Sequence, residues 1–393
     1  MLFSRRTPAD LAENPLTRAL NGRDAPYVDL TASNPTVAGL SPSEEEIGEA
    51  LATPGSGSYS PHPRGSAAAR EAVSAHYGER GANVPPDRIV LTSSTSEAYG
   101  HLFKLLGDPG DAVLVPEPSY PLFDHLVRLE ALSETPYALR PSPLDGRWRV
   151  DFASVERGIS DECRAILTVH PNNPTGNFLA HDERRQLASL LDPGRHAIVS
   201  DEVFLDFPVE DNEGKAGVAA ATSDGPLVFS LGGLSKSCGL PQMKLAWIAV
   251  GGERAAASEA LERLDLIADT YLSVGTPVQR ALPKLFPAGG RAAGRIRERL
   301  RRNLASLDRE LSGLPSASRL PVEGGWSVVV RLPLPGPGRD LALFLLEEGG
   351  VLVQPGWFFN FSDEKLVVLS LLPEPEKFDE GLARIASAFR ARG

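Results

Sequence analysis

Cysteine is scarce in this 393-residue chain, which contains only Cys163 and Cys238. Two cysteines exclude a disulfide framework and a zinc site built from cysteines, and they favour a reducing compartment. The chain also lacks a block of basic residues, and its net charge of -11 argues against binding to nucleic acid, whose phosphates repel an acidic protein. We therefore expect no metal and no nucleic-acid partner.

Long hydrophobic runs are missing as well. No stretch approaches the ~18 consecutive apolar residues of a membrane helix, and the N-terminal segment MLFSRRTPADLAENP has no apolar signal core. We therefore expect a cytoplasmic protein with no membrane contact. The apolar fraction of 42% and the charged fraction of 23% are typical of a globular protein.

Short apolar runs alternate with helical patterns over much of the chain. These runs end at Leu91, Val115, Val169, Val199 and Phe229, and a polar loop follows each one. Strands that are apolar throughout and alternate with helices favour a mainly parallel sheet covered by helices on both faces. The pattern therefore predicts an α/β fold.

The pattern divides into three parts. Residues 1–44 form an arm with too few apolar residues to fold alone. Residues 45–286 carry the repeated strand and helix pattern and form the predicted large domain. Residues 287–393 alternate differently and predict a small α+β domain, on which we expect the arm to pack.

Polar residues of unusual kinds follow these strands. Lys236 comes after the apolar run Leu227–Phe229 and a pair of glycines that break the strand. Open α/β sheets place ligands at the carboxyl ends of their strands, and a lysine there is able to form a Schiff base with a carbonyl cofactor. A lysine in a loop is more often simply solvated, so this signal is weak by itself.

A run of hydroxyl residues lies between another strand and its helix. The side chains of Ser94, Thr95 and Ser96, with the backbone N–H groups around them, would form an anion cradle suited to a phosphate. The alternative is ordinary helix capping by Ser94 or Thr95, with Glu97 completing a capping box.

Three more residues have chemistry suited to an aromatic ring. Asp201 follows a buried strand, where a carboxylate needs a cationic partner such as a protonated pyridine nitrogen. Asn173, in the turn NPTG, is able to donate to a ring oxygen, and Tyr120 is able to stack on a ring face. Each also has an ordinary structural interpretation, as a cap or ion pair, a turn and a core residue. Together with Lys236 and the hydroxyl run, they predict a site for pyridoxal phosphate.

These motifs resemble the class I/II aminotransferases, which are fold-type I pyridoxal-phosphate enzymes. Four stretches carry the resemblance: GDAVLVPEPSYP, HPNNPTG, VSDEVF and LSKSCGLPQMKLAW. The resemblance implies a seven-stranded type of sheet with helices on both faces. It also implies a homodimer with shared active sites, in which Tyr59 reaches the partner's cofactor phosphate.

The same resemblance assigns roles in the site. Lys236 would hold the cofactor as an internal aldimine and then act as the general base, and Asp201 would keep the ring nitrogen protonated. Ser235 and Lys244 would join the cofactor-binding residues. The substrates implied are a small-molecule amino donor and a carbonyl acceptor.

Departures from the family pattern are concentrated around the substrate. Phe204 stands where relatives usually carry a tyrosine, and Lys244 stands where they commonly carry an arginine. Val368 stands where the family's arginine grips the substrate carboxylate. An amino-acid substrate needs a cation for its carboxylate, and Arg64 is our candidate for that cation. Further candidate substrate residues are Ser33, Asn34 and Trp357.

We therefore predict a pyridoxal-phosphate-dependent aminotransferase that moves an amino group between an amino acid and a 2-oxo acid or related carbonyl. One alternative is another reaction at the α-carbon, such as elimination, decarboxylation or oxidation, which the residues at Val368 and Phe204 leave open. A second alternative is a non-catalytic binding or regulatory protein with the same fold. The amino donor and acceptor do not follow from the sequence.

Overall fold

The predicted alternation of strands and helices runs along the chain in a computed structural model that describes residues 2–55, 57–210, 215, 217–221, 224–272, 274–336 and 339–390. The helices are α1 Pro15–Asn21, α2 Glu44–Leu51, α3 Ala67–Gly78, α4 Thr95–Leu106, α5 Phe123–Leu129, α6 Phe152–Gly158, α7 His181–Leu190, α8 Leu234–Ser237, α9 Arg254–Tyr271, α10 Thr276–Ser312, α11 Leu341–Glu347 and α12 Pro375–Arg390. Among the residues described, no helix combines the length and apolar character needed to cross a bilayer.

The strands form a large sheet and two smaller groups. They are β1 Val28–Asp29, β2 Ile89–Thr92, β3 Ala112–Glu117, β4 Ser133–Pro141, β5 Trp148–Val150, β6 Cys163–Val169, β7 Ala197–Asp201, β8 Leu227–Gly233, β9 Ala246–Gly251, β10 Ser318–Arg319, β11 Ser327–Arg331, β12 Val351–Leu352, β13 Gln354–Pro355 and β14 Leu366–Ser370. The large sheet has the order β2-β9-β8-β7-β6-β3-β4-β5.

The large sheet is mainly parallel, as predicted. Strands β8, β7, β6, β3 and β4 pair in parallel, whereas β9 and β5 are antiparallel to their neighbours. Seven strands were expected, and the described part of the sheet has eight, with the three-residue strand β5 at one edge. The α/β fold class is confirmed, and the difference lies at the edge of the sheet.

The central strands are apolar because helices cover both of their faces. Consecutive residues of a strand point to opposite faces, and Ile198 and Val199 of β7 accordingly join two different buried clusters. Ile166 and Leu167 of β6 divide between the same two clusters. A strand buried on both faces is mainly apolar along its length, and its few polar side chains, such as Ser230 of β8, are small or hydrogen-bonded within the protein. Polar groups that can reach a ligand therefore lie mainly where the strands end.

The carboxyl ends of these strands meet at one rim. Thr92 at the end of β2 pairs with Ala246 of β9, and Ala246 pairs in turn with Gly233 at the end of β8. On the other side of β8, Asp201 at the end of β7 pairs with Val169 at the end of β6. Residues that follow β2, β6, β7 and β8 are therefore brought together although they lie far apart in the sequence.

A second sheet, with the order β10-β11-β14-β13, lies in the C-terminal part of the chain. The N-terminal segment packs on it: β1 pairs with β12, the backbone N–H of Ser370 donates to the carbonyl of Leu30, and Leu16 and Leu30 join the same buried cluster as Phe344 and Phe378. Helix α10 runs without a break through the predicted boundary between residues 286 and 287. The division into three domains therefore stays a prediction, with its second boundary inside a helix.

We predict that Leu30 anchors the N-terminal segment. Its side chain is fully buried against Gly381 of α12, where an added Cβ would lie 2.8 Å from Leu30 Cδ1. Leu30→Ala is expected to lower the free energy of unfolding by about 2–5 kcal/mol, because it leaves a cavity in a packed core. Urea denaturation followed by circular dichroism measures this change.

The matched control is Leu11→Ala, which makes the same chemical change on the same segment where the leucine is 83% exposed. It is expected to change the unfolding free energy by less than about 0.5 kcal/mol. Equal effects of the two substitutions would contradict the anchoring role of Leu30.

Candidate active site

A cavity of about 440 Å³ opens at the rim where the strand ends meet. Every predicted cofactor-binding residue except Tyr59 lines it, and these residues are Ser94, Thr95, Ser96, Tyr120, Asn173, Asp201, Ser235, Lys236 and Lys244. They come from five separate stretches of chain, which follow β2, β3, β6, β7 and β8. The strand order of the sheet is what assembles them.

Asp201 lies at the floor of this cavity and is almost wholly buried. Its Oδ1 accepts a hydrogen bond from the backbone N–H of Val203 at 3.2 Å, and its Oδ2 accepts one from the hydroxyl of Tyr99 at 3.0 Å. Burial raises the pKa of Asp201 to about 6, while the two hydrogen bonds and the nearby Lys236 lower it. A carboxylate placed in this way favours a cationic or protonated partner in the cavity.

Lys236 reaches the cavity from α8, one short turn beyond the end of β8. The strand end is built closely: a Cβ at Gly232 would lie 2.6 Å from the ring of Trp247, so a larger residue would displace the strand. Lys236 Nζ lies 4.8 Å from the ring centre of Trp326 and 5.6 Å from that of Phe204. Burial lowers the pKa of Lys236, with Asp201 opposing the shift. A lowered pKa increases the fraction of neutral amine, which is the nucleophilic form.

The hydroxyl run begins helix α4, and both sequence interpretations of it apply in part. Ser94 is the N-cap, and its Oγ accepts from the backbone N–H of Glu97 at 3.1 Å. The Glu97 carboxylate accepts from Ser93 and not from Ser94, so the expected capping box is shifted by one residue. Thr95 and Ser96 line the cavity with hydroxyls that have no hydrogen bond among the described residues. They and the helix N-terminus are available to an anion.

The remaining predicted cofactor residues surround the space between Asp201 and α4. Tyr120 is half-buried and packs edge-on against Phe123, with ring centres 5.7 Å apart. Asn173 lines the cavity, and its side-chain amide makes no hydrogen bond within the described part of the chain. Lys244 lies at the end of the turn that follows α8, with φ of 49°.

Three of the four candidate substrate residues do not line this cavity: Asn34, Arg64 and Trp357. Arg64 holds the carboxylate of Asp265 through Nε and Nη2, each at 2.6 Å, and donates through Nη1 to the carbonyl of Asp87. The side chain of Asn34 accepts from its own turn, from the backbone N–H and hydroxyl of Thr36.

Trp357, the third of these residues, donates from Nε1 to Asp340 at 3.1 Å and lines a separate cavity. Its neighbour Phe359 lines the active-site cavity instead, and so does the fourth candidate substrate residue, Ser33. Tyr59 is 79% exposed and lines a cleft with Leu272, outside the cavity that contains Lys236. Its predicted contact would therefore have to be with another subunit.

Several lining residues were missed by the sequence analysis. Tyr99 was not predicted because it has the position of an ordinary core residue on the apolar face of α4. It lies two residues beyond Glu97, at the end of the hydroxyl-rich segment. A further group belongs to the N-terminal and C-terminal segments: Thr31, Trp326, Ser327, Gln354, Phe359 and Ser370. They have no motif of their own, since they reach the cavity only because the second sheet packs beside the first.

The cavity suits a flat, phosphorylated carbonyl compound with a basic ring nitrogen. Its groups are an amine with a lowered pKa, a buried carboxylate, an aromatic side wall and a helix N-terminus with free hydroxyls beside Lys244. Pyridoxal phosphate matches each of them by charge and by hydrogen-bonding capacity. Four side chains near the helix N-terminus make no hydrogen bond among the described residues and are available to bind the phosphate: those of Thr95, Ser96, Ser235 and Lys244.

Comparisons with known proteins agree with this chemistry. The sequence profile of the family described as aminotransferase class I and II matches residues 25–385. The tyrosine aminotransferase of Caenorhabditis elegans is 24% identical over 365 residues, which cover 91% of this chain and 77% of that protein. The alanine aminotransferase of Mycobacterium tuberculosis H37Rv is 26% identical over 313 residues, covering 77% of this chain and 70% of that protein.

Solved structures share the fold. An alanine aminotransferase from Pyrococcus furiosus superposes with a TM-score of 0.84 at 23% identity, covering 96% of this chain and 95% of that one. A double mutant of Thermus thermophilus aspartate aminotransferase gives 0.82 at 24% identity, with coverage of 98% and 99%. At these identities the structures establish the fold alone.

We predict that Tyr99 sets the acidity of Asp201. Its hydroxyl stabilises the ionised carboxylate, so Tyr99→Phe is expected to move the pKa of Asp201 upward from about 6. Carbon-detected NMR of carboxyl-labelled, cofactor-free protein across a pH series measures this pKa.

The control is Tyr120→Phe, which removes a hydroxyl from the same cavity where it makes no hydrogen bond to Asp201. It is expected to leave the Asp201 titration much closer to wild type. A carboxylate pKa that is unchanged or lower in Tyr99→Phe would refute the role given to that hydroxyl.

Proposed function

The chain belongs to the class I and II aminotransferase family and is a pyridoxal-phosphate-dependent aminotransferase, and from this premise we propose that Lys236 and Asp201 carry the chemistry. The observation that supports the proposal is that these two side chains, an amine on α8 and a carboxylate at the end of β7, line one cavity beside the N-terminus of α4. Family members exchange an amino group between an amino acid and a 2-oxo acid.

Binding of the cofactor is assigned to residues around Asp201 and α4. Pyridoxal phosphate supplies an aldehyde that accepts the amino group and a pyridine ring that withdraws electrons from the reacting carbon. Thr95, Ser96 and Lys244 would hold the phosphate through hydroxyls, backbone N–H groups and one positive charge. Asn173 would donate to the ring oxygen, and Tyr120 would cover one face of the ring.

Lys236 has two tasks in this proposal. Its Nζ would hold the cofactor through the aldehyde carbon, and the lowered pKa of the amine favours the neutral form that this attachment needs. With a substrate amine in its place, the same nitrogen would serve as the general base that takes the proton from the substrate's α-carbon. The ring centres of Trp326 and Phe204 lie within 6 Å of Nζ and form an apolar surface beside it.

Asp201 controls the ring nitrogen. Its buried carboxylate has no ion-pair partner within 4 Å among the described residues, so a proton on the ring nitrogen would supply its counter-charge. Tyr99 and Val203 hold the carboxylate, each through one hydrogen bond. The carboxylate is thus oriented before any ligand binds, which is the arrangement that electrostatic stabilisation requires.

We predict that Lys236 carries the cofactor. After incubation with pyridoxal phosphate and reduction with borohydride, peptide mapping is expected to find the added mass on the peptide that contains Lys236. Lys236→Arg keeps the charge without a nucleophilic amine and is expected to lower the rate of amino transfer by about 100-fold or more.

The control is Lys284→Arg, an exposed position on α10 where the substitution is expected to leave the rate unchanged. Trapping on any lysine other than Lys236, or full activity of Lys236→Arg, would show that the assignment is wrong.

A homodimer with shared active sites is the second part of the proposal. Tyr59 and Leu272 line one cleft, and two large apolar side chains on the neighbouring helix α9 are exposed, with Leu266 at 74% and Tyr271 at 51%. An exposed apolar surface of this kind is typical of a subunit interface. A partner docked there would receive Tyr59, which is the residue that the resemblance assigns to the partner's cofactor.

The two buried cysteines, which form no disulfide, support the proposed cytoplasmic location.

We predict that charge at this surface separates the subunits. Leu272→Glu would bury a carboxylate without a partner in the interface and is expected to shift the sedimenting species from dimer to monomer. Leu144→Glu makes the same change at a leucine that is 95% exposed between β4 and β5, and it is expected to leave the dimer intact. A monomeric wild-type protein, or a dimer unaffected by Leu272→Glu, would contradict the proposed interface.

A further inference from the structure

The cavity has a charged half and an uncharged half. Around the proposed cofactor it contains Lys236, Lys244 and Asp201. The opposite wall consists of neutral residues from the N-terminal segment and the second sheet: Thr31, Ser33, Trp326, Ser327, Gln354, Phe359 and Ser370. Within the described lining, Lys236 and Lys244 are the only basic side chains, and the proposed function uses both, Lys236 for attachment and proton transfer and Lys244 for the phosphate.

Strand register explains why this wall is neutral. Gln354 of β13 lies opposite Val368 of β14, and Val368 lies opposite Val329 of β11, so the three side chains form a row on one face of the second sheet. Two residues along the same face, Ser370 pairs with Ser327, and both line the cavity. Neither row contains a charged residue.

The centre of the first row is closed by apolar packing. Val368 is fully buried and clusters with Val329, Leu366 and Phe359, whose ring lines the cavity. A carboxylate held against this wall would lose its water without meeting a cation, which is costly.

Three polar groups on the wall are uncommitted. The side chains of Ser33, Ser327 and Gln354 make no hydrogen bond among the described residues, and all three residues line the cavity. The hydroxyls of their neighbours are already used: Thr31 donates to Asp29 at 2.6 Å, and Ser370 donates to the carbonyl of Ala32 at 2.6 Å. Two free hydroxyls and one free carboxamide can both donate and accept, which matches a neutral polar group better than an anion.

We infer that the preferred amino substrate carries a neutral hydrogen-bonding group, a carboxamide or a hydroxymethyl, where an ordinary amino acid carries its carboxylate. This inference rests on the proposed function, because it takes Lys236 as the point of attachment. Ser33, Ser327 and Gln354 bind the neutral group, and Phe359 and Trp326 form the apolar surface beside it.

The test is a single-turnover reaction of the cofactor-loaded enzyme with matched compounds, followed by the cofactor absorbance. Alanine and phenylalanine are each supplied as the free acid, the primary amide and the amino alcohol, so that only the group at issue differs within a set. The second-order rate constant is expected to be about tenfold or more higher for the better neutral compound than for the acid. Comparing the rate constants of the amides with those of the amino alcohols shows which neutral group the site binds better.

A cation added to the wall is expected to reverse the preference. Gln354→Arg places a guanidinium in the row beside Val368, at a half-buried position with more room than Val368 itself. The ratio of neutral to acid rate constants is expected to fall about tenfold or more. Gln186→Arg, on the exposed side of α7, is the matched control and is expected to leave the ratio unchanged.

The outcomes separate this inference from the proposed function. If borohydride labels Lys236 but the free acid reacts as fast as the neutral compounds or faster, the inference is overturned and the proposed function stands. A neutral preference that Gln354→Arg does not alter also overturns it, since the wall would not be the cause. If Lys236 is not labelled, the proposed function fails and takes this inference with it.

Discussion

The structure depends on the meeting of strand ends at one rim of a parallel sheet. Because β6, β7 and β8 are buried on both faces, they are mainly apolar, and the polar side chains that can reach a ligand lie where the strands end. The register then decides which of these points adjoin. Asp201 follows one strand and Lys236 the next, so a carboxylate and an amine from distant stretches of chain face one cavity.

Burial makes this pair chemically useful. It raises the pKa of Asp201 to about 6 and lowers that of Lys236, so each group is shifted toward its neutral form and each is stabilised by the other's charge. The hydroxyl of Tyr99 favours the ionised carboxylate. In an exposed position water would solvate both charges. In the cavity, a charged or protonatable ligand stabilises the ionised form of each group.

The sequence predicted the residues of the site that lie at strand ends. It did not predict which way other side chains point or which distant residues they contact. Lys236, Asp201 and Asn173 follow strands, so alternation of apolar runs was enough to bring them to one rim. Arg64 has the charge that a substrate carboxylate requires, but its guanidinium binds Asp265, which lies 201 residues further along the chain. The sequence around Arg64 does not indicate that contact. The neutral wall could not be predicted for the same reason, because Ser327 and Gln354 face the cavity only as a result of strand pairing within the second sheet.

The most direct measurement is a crystal structure of the protein grown with pyridoxal phosphate. The account predicts continuous electron density from Lys236 Nζ to the cofactor, with a carboxylate oxygen of Asp201 within hydrogen-bonding distance of the pyridine nitrogen and the phosphate at the N-terminus of α4. A cofactor bound elsewhere, or bound in this cavity with its ring nitrogen away from Asp201, would contradict it.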